Sequence, residues 1–172
     1  MTKNEAFLPD GYVLKTSTSG GYLKLQDGDS VKVRILTNSI VGYEYFRVNG
    51  ESVSPVRGRV PFNGTPSDSK DWQAPKEFWA FVVWNYESQS CQIWEVTQAS
   101  IKKAIFTLYN DPDFGDPKTY DLKIARTWKG LDTTYTIMPL NKWEFENTDA
   151  IKEAMSVRLE ALFDGDDPFK PF

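Results

Sequence analysis

Cationic and aromatic side chains alternate along several short stretches of this chain, and together these residue types have the chemistry to hold an unpaired polynucleotide strand. Ammonium and guanidinium groups neutralise phosphates, while ring faces stack under bases. Lys32 and Arg34 share one face of an alternating stretch, Tyr43, Tyr45 and Arg47 share a face of the next, and Arg57 and Arg59 alternate on the segment that returns. Trp72 lies in the polar run Ser69-Lys70-Asp71-Trp72-Gln73-Ala74-Pro75-Lys76, with Lys70 and Lys76 on either side, and Trp79 lies in the most apolar stretch. Lys123 and Arg126 fall on opposite faces of a later stretch, and Trp128 and Lys129 open the turn after it. A tryptophan in a polar loop is either a lid on the core or a stacking platform, and a lone lysine is by itself an ordinary solvated charge.

Other chemistries are excluded or unsupported. Histidine is absent and Cys91 is the single cysteine, so Ser-His-Asp and Cys-His catalysis, thiolate cages and imidazole zinc sites are not available. The run Asp111-Pro112-Asp113-Phe114-Gly115-Asp116-Pro117 lacks the spacing and distal Glu of a calcium loop and reads as turn chemistry. No enzyme activity, cofactor or metal is expected. One cysteine fits a reducing compartment, no apolar run is long enough to span a bilayer, and no signal-peptide pattern opens the chain, so the expected location is the cytoplasm.

The formal charge of −4 is unevenly placed. Residues 1–143 carry 17 basic and 16 acidic side chains, whereas residues 144–172 carry 3 and 8. The acidity belongs to the C-terminal segment, and a near-neutral body can still carry a basic stripe.

The elements that must position these residues are mainly β. Residues 1–21 read as an arm. Residues 22–25 and 31–36 begin the strands, with Val31, Val33 and Ile35 inward and Lys32 and Arg34 outward. Residues 41–48 meet Asn49-Gly50, a two-residue hairpin signal, and return through Val53, Val56 and Arg59. A loop at 61–76 precedes strands at 78–86 and 91–96; Trp79, Phe81 and Val83 lie on one face of the former, Phe78, Val82 and Trp84 on the other, and one face must be core. A helix follows with Ile101, Ala104, Ile105 and Leu108 at helical spacing, then strands at 120–127 and 133–140 and a helix over 148–163. Strands, one helix, then a final hairpin is the order of an OB-fold, a five-stranded Greek-key barrel with a helix between its third and fourth strands. The expected organisation is an arm (1–21), an OB domain (22–143), a helical segment (144–163) and a disordered acidic tail (164–172).

Four segments together resemble bacteriophage-encoded single-stranded-DNA-binding proteins with an OB-fold: Phe-Trp-Ala-Phe-Val-Val-Trp-Asn-Tyr at 78–86, Gln-Ile-Trp-Glu-Val-Thr-Gln at 92–98, residues 111–117, and Gly-Leu-Asp-Thr-Thr-Tyr at 130–135. The tail is similar to the acidic, phenylalanine-ended tips of bacterial and phage members. The resemblance implies sequence-tolerant coating of single-stranded DNA in replication, recombination and repair, with replication or recombination proteins recruited through the tip. Asp164, Asp166 and Asp167 would then mimic phosphate, with Phe169 and Phe172 plugging a partner's pocket. The zinc of one phage type is not carried over, since its ligands are missing. Rival expectations are an OB-like interaction or adaptor module of a phage, and a sugar-binding module using the tryptophans.

Overall fold

The computed structural model describes residues 21–170 except Gly130, and Lys129 through its backbone alone. Apart from Gly21, the expected N-terminal arm lies outside the described residues. Seven strands form one antiparallel sheet: β1 (Ser30–Ile35), β2 (Ile40–Asn49), β3 (Ser52–Gly58), β4 (Lys76–Asn85), β5 (Ser90–Val96), β6 (Tyr120–Lys129) and β7 (Asp132–Lys142). The order is β3-β2-β4-β1-β6-β7, with β5 on the other edge of β4. The expected count of five rises to seven, because the 40–58 hairpin contributes strands of its own.

β1 and β2 act as one long bent strand. β2 pairs with the first half of β4, Ile40 opposite Ala80, and β1 with the second half, Ile35 opposite Val83. At the break between them the Thr37 hydroxyl accepts from the Val82 N–H at 3.0 Å, replacing a ladder carbonyl. The hairpin turn falls at Gly50-Glu51, one residue later than the expected Asn49-Gly50, because Asn49 still pairs with Ser52; Gly50 has φ 64°.

The alternation of β1 buries Val31, Val33 and Ile35 with Phe81, Val83, Trp94, Val96, Leu122 and Ile124. Helix α1 (Ala99–Tyr109) adds Ile101 and Ile105 to this core; Gln98 is its N-cap, with no side-chain bond to the helix. A second core lies on the opposite face, where Phe78, Ala80, Val82, Cys91 and Ile93 meet Ala150, Ala154 and Leu162. Both faces of β4 and β5 are therefore covered, as their nearly continuous apolar runs require. Sequence alternation alone could not say which face was core, because both are.

The helix expected over 148–163 is broken into α2 (Thr148–Ser156) and α3 (Ala161–Asp164). Asn147 caps α2, its Oδ1 accepting from the Ala150 N–H at 3.1 Å. Between the helices the backbone N–H of Arg158 donates to Pro168 O at 2.8 Å, and its guanidinium donates to the carbonyls of Lys170 at 2.7 Å and Asp167 at 3.2 Å. Gly165, with φ 73°, ends α3 in the left-handed conformation and turns the chain back. The expectation of a disordered tail is thus corrected for residues 164–170. Arg158 gives their carbonyls a partner, and Phe169 sets its ring edge-on to Tyr22 at 5.9 Å. Among the described residues no helix is long and apolar enough to cross a membrane.

Candidate nucleic-acid interface

Of the residues singled out by sequence, several are fixed inside the structure rather than offered to a ligand. Arg34 does point to the outer face of β1, but this face is covered by residues 143–145, leaving the side chain 1% exposed. Its Nε donates to Asp121 Oδ1 at 2.7 Å, and its remaining nitrogens donate to the carbonyls of Lys118 and Trp143. Arg57 is likewise consumed, with Nε 3.0 Å from Glu44 Oε2 and a terminal nitrogen 2.9 Å from Glu95 Oε2, over the Phe78 ring. Burial pushes the Glu95 carboxyl above its ordinary value, and Arg57 opposes that rise. Arg126 ties the 25–29 turn to β6: it donates to Leu25 O, and its Nε lies 3.0 Å from Asp27 without hydrogen-bond alignment. These three guanidiniums are structural, which corrects their expected role on phosphates.

Tyr45 is also corrected, since it is buried, edge-on to Phe62, with its hydroxyl accepting from Arg47. Arg47 itself is half-exposed and paired with Asp68 at 2.9 Å. Tyr43 is half-buried. Arg59 is exposed but docked on the C-terminal segment, 3.0 Å from Glu160 and 4.4 Å over the Phe163 ring.

The remaining residues are available. Trp72 is 77% exposed, on the turn Lys70–Trp72, between the exposed Lys70 and Lys76. Asp71 and Trp72 both have left-handed backbone, φ 54° and 57°, which side chains other than glycine adopt at a cost. Ser69, buried beneath, holds the turn by donating to Gln73 O at 2.6 Å. Trp128 is 62% exposed on the β6–β7 hairpin; the side chain of Lys129 lies outside the described residues. These two projections leave from opposite ends of the long β1–β2 strand, since β6 runs past Ser30 and β3 pairs beyond Glu44. Lys32 and Lys123 are exposed on the outer face of β1 and β6.

Trp79 is half-buried, its indole N–H donating to Glu77, and it lines a groove of about 490 Å³ with Val41, Phe81, Phe106 and Tyr109. Sequence reasoning missed Phe106, Tyr109 and Trp143, all exposed. Phe106 falls off the Ile101–Ile105 stripe of α1, a signal that was readable; Tyr109 continues that stripe four residues on, and Trp143 had no signal.

In the tail, Asp164, Asp166 and Asp167 are exposed, while Phe169 is docked and Phe172 lies outside the described residues. Tyr86 donates to Asp121 Oδ1 at 2.8 Å, and burial first, then that bond, pushes its hydroxyl well above the ordinary tyrosine value. No protein-family model matches the chain, and no curated protein or solved structure is significantly similar to it.

Proposed function

We propose that this chain binds single-stranded DNA without sequence preference, through an OB-type barrel. The observation that carries this reading is Trp72: a tryptophan in a polar turn, exposed, held on strained backbone and set between two lysines that form no ion pair among the described residues. An exposed ring fixed in place loses little freedom when a base stacks on it. Trp128 offers a second ring on the hairpin that in OB-folds joins the last two strands and borders the oligonucleotide.

The strand order supports the barrel. β1 with β2 stands for the long first strand, β4 and β5 for the second and third, α1 for the helix that follows, and β6 and β7 for the last pair. On this reading the far part of β2, beyond Glu44, and β3 extend the first loop. The C-terminal segment lies on the outer face of β4–β5, where OB-folds hold oligonucleotides, which supports self-competition with DNA. Recruitment of replication or recombination proteins would use Asp164, Asp166, Asp167, Phe169 and Phe172.

Titration of intrinsic tryptophan fluorescence with oligo-dT, duplex DNA and an oligosaccharide tests the reading. Oligo-dT should quench strongly and lose its effect steeply with salt. Quenching by the oligosaccharide alone would establish the sugar-binding alternative instead. The groove lined by Val41, Trp79, Phe106 and Tyr109 favours a second reading, a protein-interaction or adaptor module, for which none of the three ligands would quench.

A further inference from the structure

We propose that the outer face of β1, β6 and β7 carries a nucleotide subsite in which Lys32 and Lys123 hold a phosphate of the single strand and Trp143 stacks the adjoining base. This rests on the single-strand reading above and names a route for the strand that avoids the covered face of β4–β5.

Lys32 stands directly opposite Lys123 in the β1–β6 ladder. Like charges in that position weaken the pairing of strands, so the arrangement is a liability in the free protein. Relief is partial and falls on Lys32 alone, whose ammonium lies 4.5 Å over the Tyr86 ring and within reach of one carboxylate. Lys123 forms no ion pair among the described residues. The carboxylate nearest Lys32 is Asp121, whose Oδ2 lies 3.6 Å from the ammonium but already accepts from the Trp143 indole at 2.7 Å. Its other oxygen, Oδ1, accepts from Arg34 at 2.7 Å and Tyr86 at 2.8 Å. One carboxylate thus faces Arg34 and Lys32, and Lys123 beyond them has no counter-charge among the described residues.

The same carboxylate oxygen places an aromatic ring beside the cations. Trp143 is 45% exposed, yet its indole edge is pinned to Asp121 and its flank rests on Arg34, whose guanidinium carbon is 5.0 Å from the ring. It is a pre-set platform. Next to the lysines the face is built of small or hydroxyl side chains, Ser30 opposite Ala125 and Thr127 opposite Thr134, over which a sugar-phosphate backbone can approach closely. Met138, exposed and opposite Lys123, closes the row.

The test is fluorescence anisotropy of labelled oligo-dT with the full chain, its double variant Lys32→Gln/Lys123→Gln, and Trp143→Leu, each over a salt series. The double variant should flatten the slope of log K against log salt by about 0.7, the value for one phosphate no longer neutralised. Its melting temperature should stay level or rise, because the repulsion is gone. Trp143→Leu should lower affinity with the slope unchanged. An unchanged slope in the double variant, with the intact chain binding normally, overturns the subsite alone; failure of the intact chain to bind oligo-dT overturns both the subsite and the single-strand reading.

Discussion

The ring of Phe163 closes over Gly42 so tightly that a Cβ added to the glycine would lie 2.6 Å from Phe163 Cε1 and 2.7 Å from Phe78 Cε1. A strand glycine at such a place is required by the approach of another chain segment. Here that segment is the C-terminal cover. Gly42→Ala must displace one ring, and Phe78 is locked within β4 with no exposed surface, so Phe163 and α3 are what yield. Overpacking of this kind costs about 1–3 kcal/mol, readable in urea unfolding. If the cover competes with DNA, the variant binds oligo-dT more tightly, and so does a chain ending at residue 163. Neither variant gaining affinity would rule out self-competition.

Asp121→Ala removes the acceptor of Arg34, Tyr86 and Trp143 together and leaves the guanidinium of Arg34 buried without its counter-ion. Breaking a buried pair from one side costs about 3–5 kcal/mol, whereas replacing both partners with apolar side chains is far milder. Urea unfolding of Asp121→Ala against Arg34→Met/Asp121→Leu measures the difference. A single-variant loss below about 1 kcal/mol, the range of exposed pairs, would show that this cluster does not anchor residues 143–145.

These two relationships mark the limit of what the sequence could say. Local patterns were legible: the alternation of β1 and the apolar stripe of α1 depend on near neighbours and stand where they were expected, and the β2–β3 turn falls within one residue of its Asn49-Gly50 signal. Sequence also placed Arg34 correctly on the outward face of β1. It could not show that the outward face is covered, because the backbone that receives Arg34 comes from Trp143, 109 positions away. Arg57 was misread for the same reason, since Glu95 reaches it only through the β2–β4–β5 pairing. Of the candidate site, then, the polar loop carrying Trp72 was legible but the exposure of its ring was not, and neither was the outer-face cluster around Asp121.

Alkaline pH should unfold the protein earlier than its composition suggests. Burial raises Cys91 from 9.0 to about 12 and Tyr120 from 10.0 to about 12, and also moves Tyr22 and Tyr86 upward. The folded chain keeps protons that the unfolded chain gives up. The stability from these groups is therefore complete below the unfolded values of 9.0 and 10.0 and is lost as pH rises through about 12. Urea midpoints should fall between about pH 9 and about pH 12, with tyrosinate absorbance appearing in step with unfolding. Tyrosinate forming fully before unfolding would contradict it.

Trp72→Gly sets stability and binding in opposition. The residue has φ 57° beside Asp71 at 54°, a conformation that is unfavourable by about 1–2 kcal/mol for a residue with a Cβ and natural for glycine. The ring is 77% exposed, so its removal gives up little packing. Glycine should therefore raise the urea midpoint slightly. The same change deletes a stacking platform of about 1–3 kcal/mol, so oligo-dT affinity should fall roughly tenfold, within a range of about 5- to 150-fold. Strain kept for a ligand predicts both signs at once, a more stable protein that binds less well. A variant equal to the parent in affinity would leave Trp72 a surface ring without a role in binding, and the single-strand reading would lose the observation that carries it.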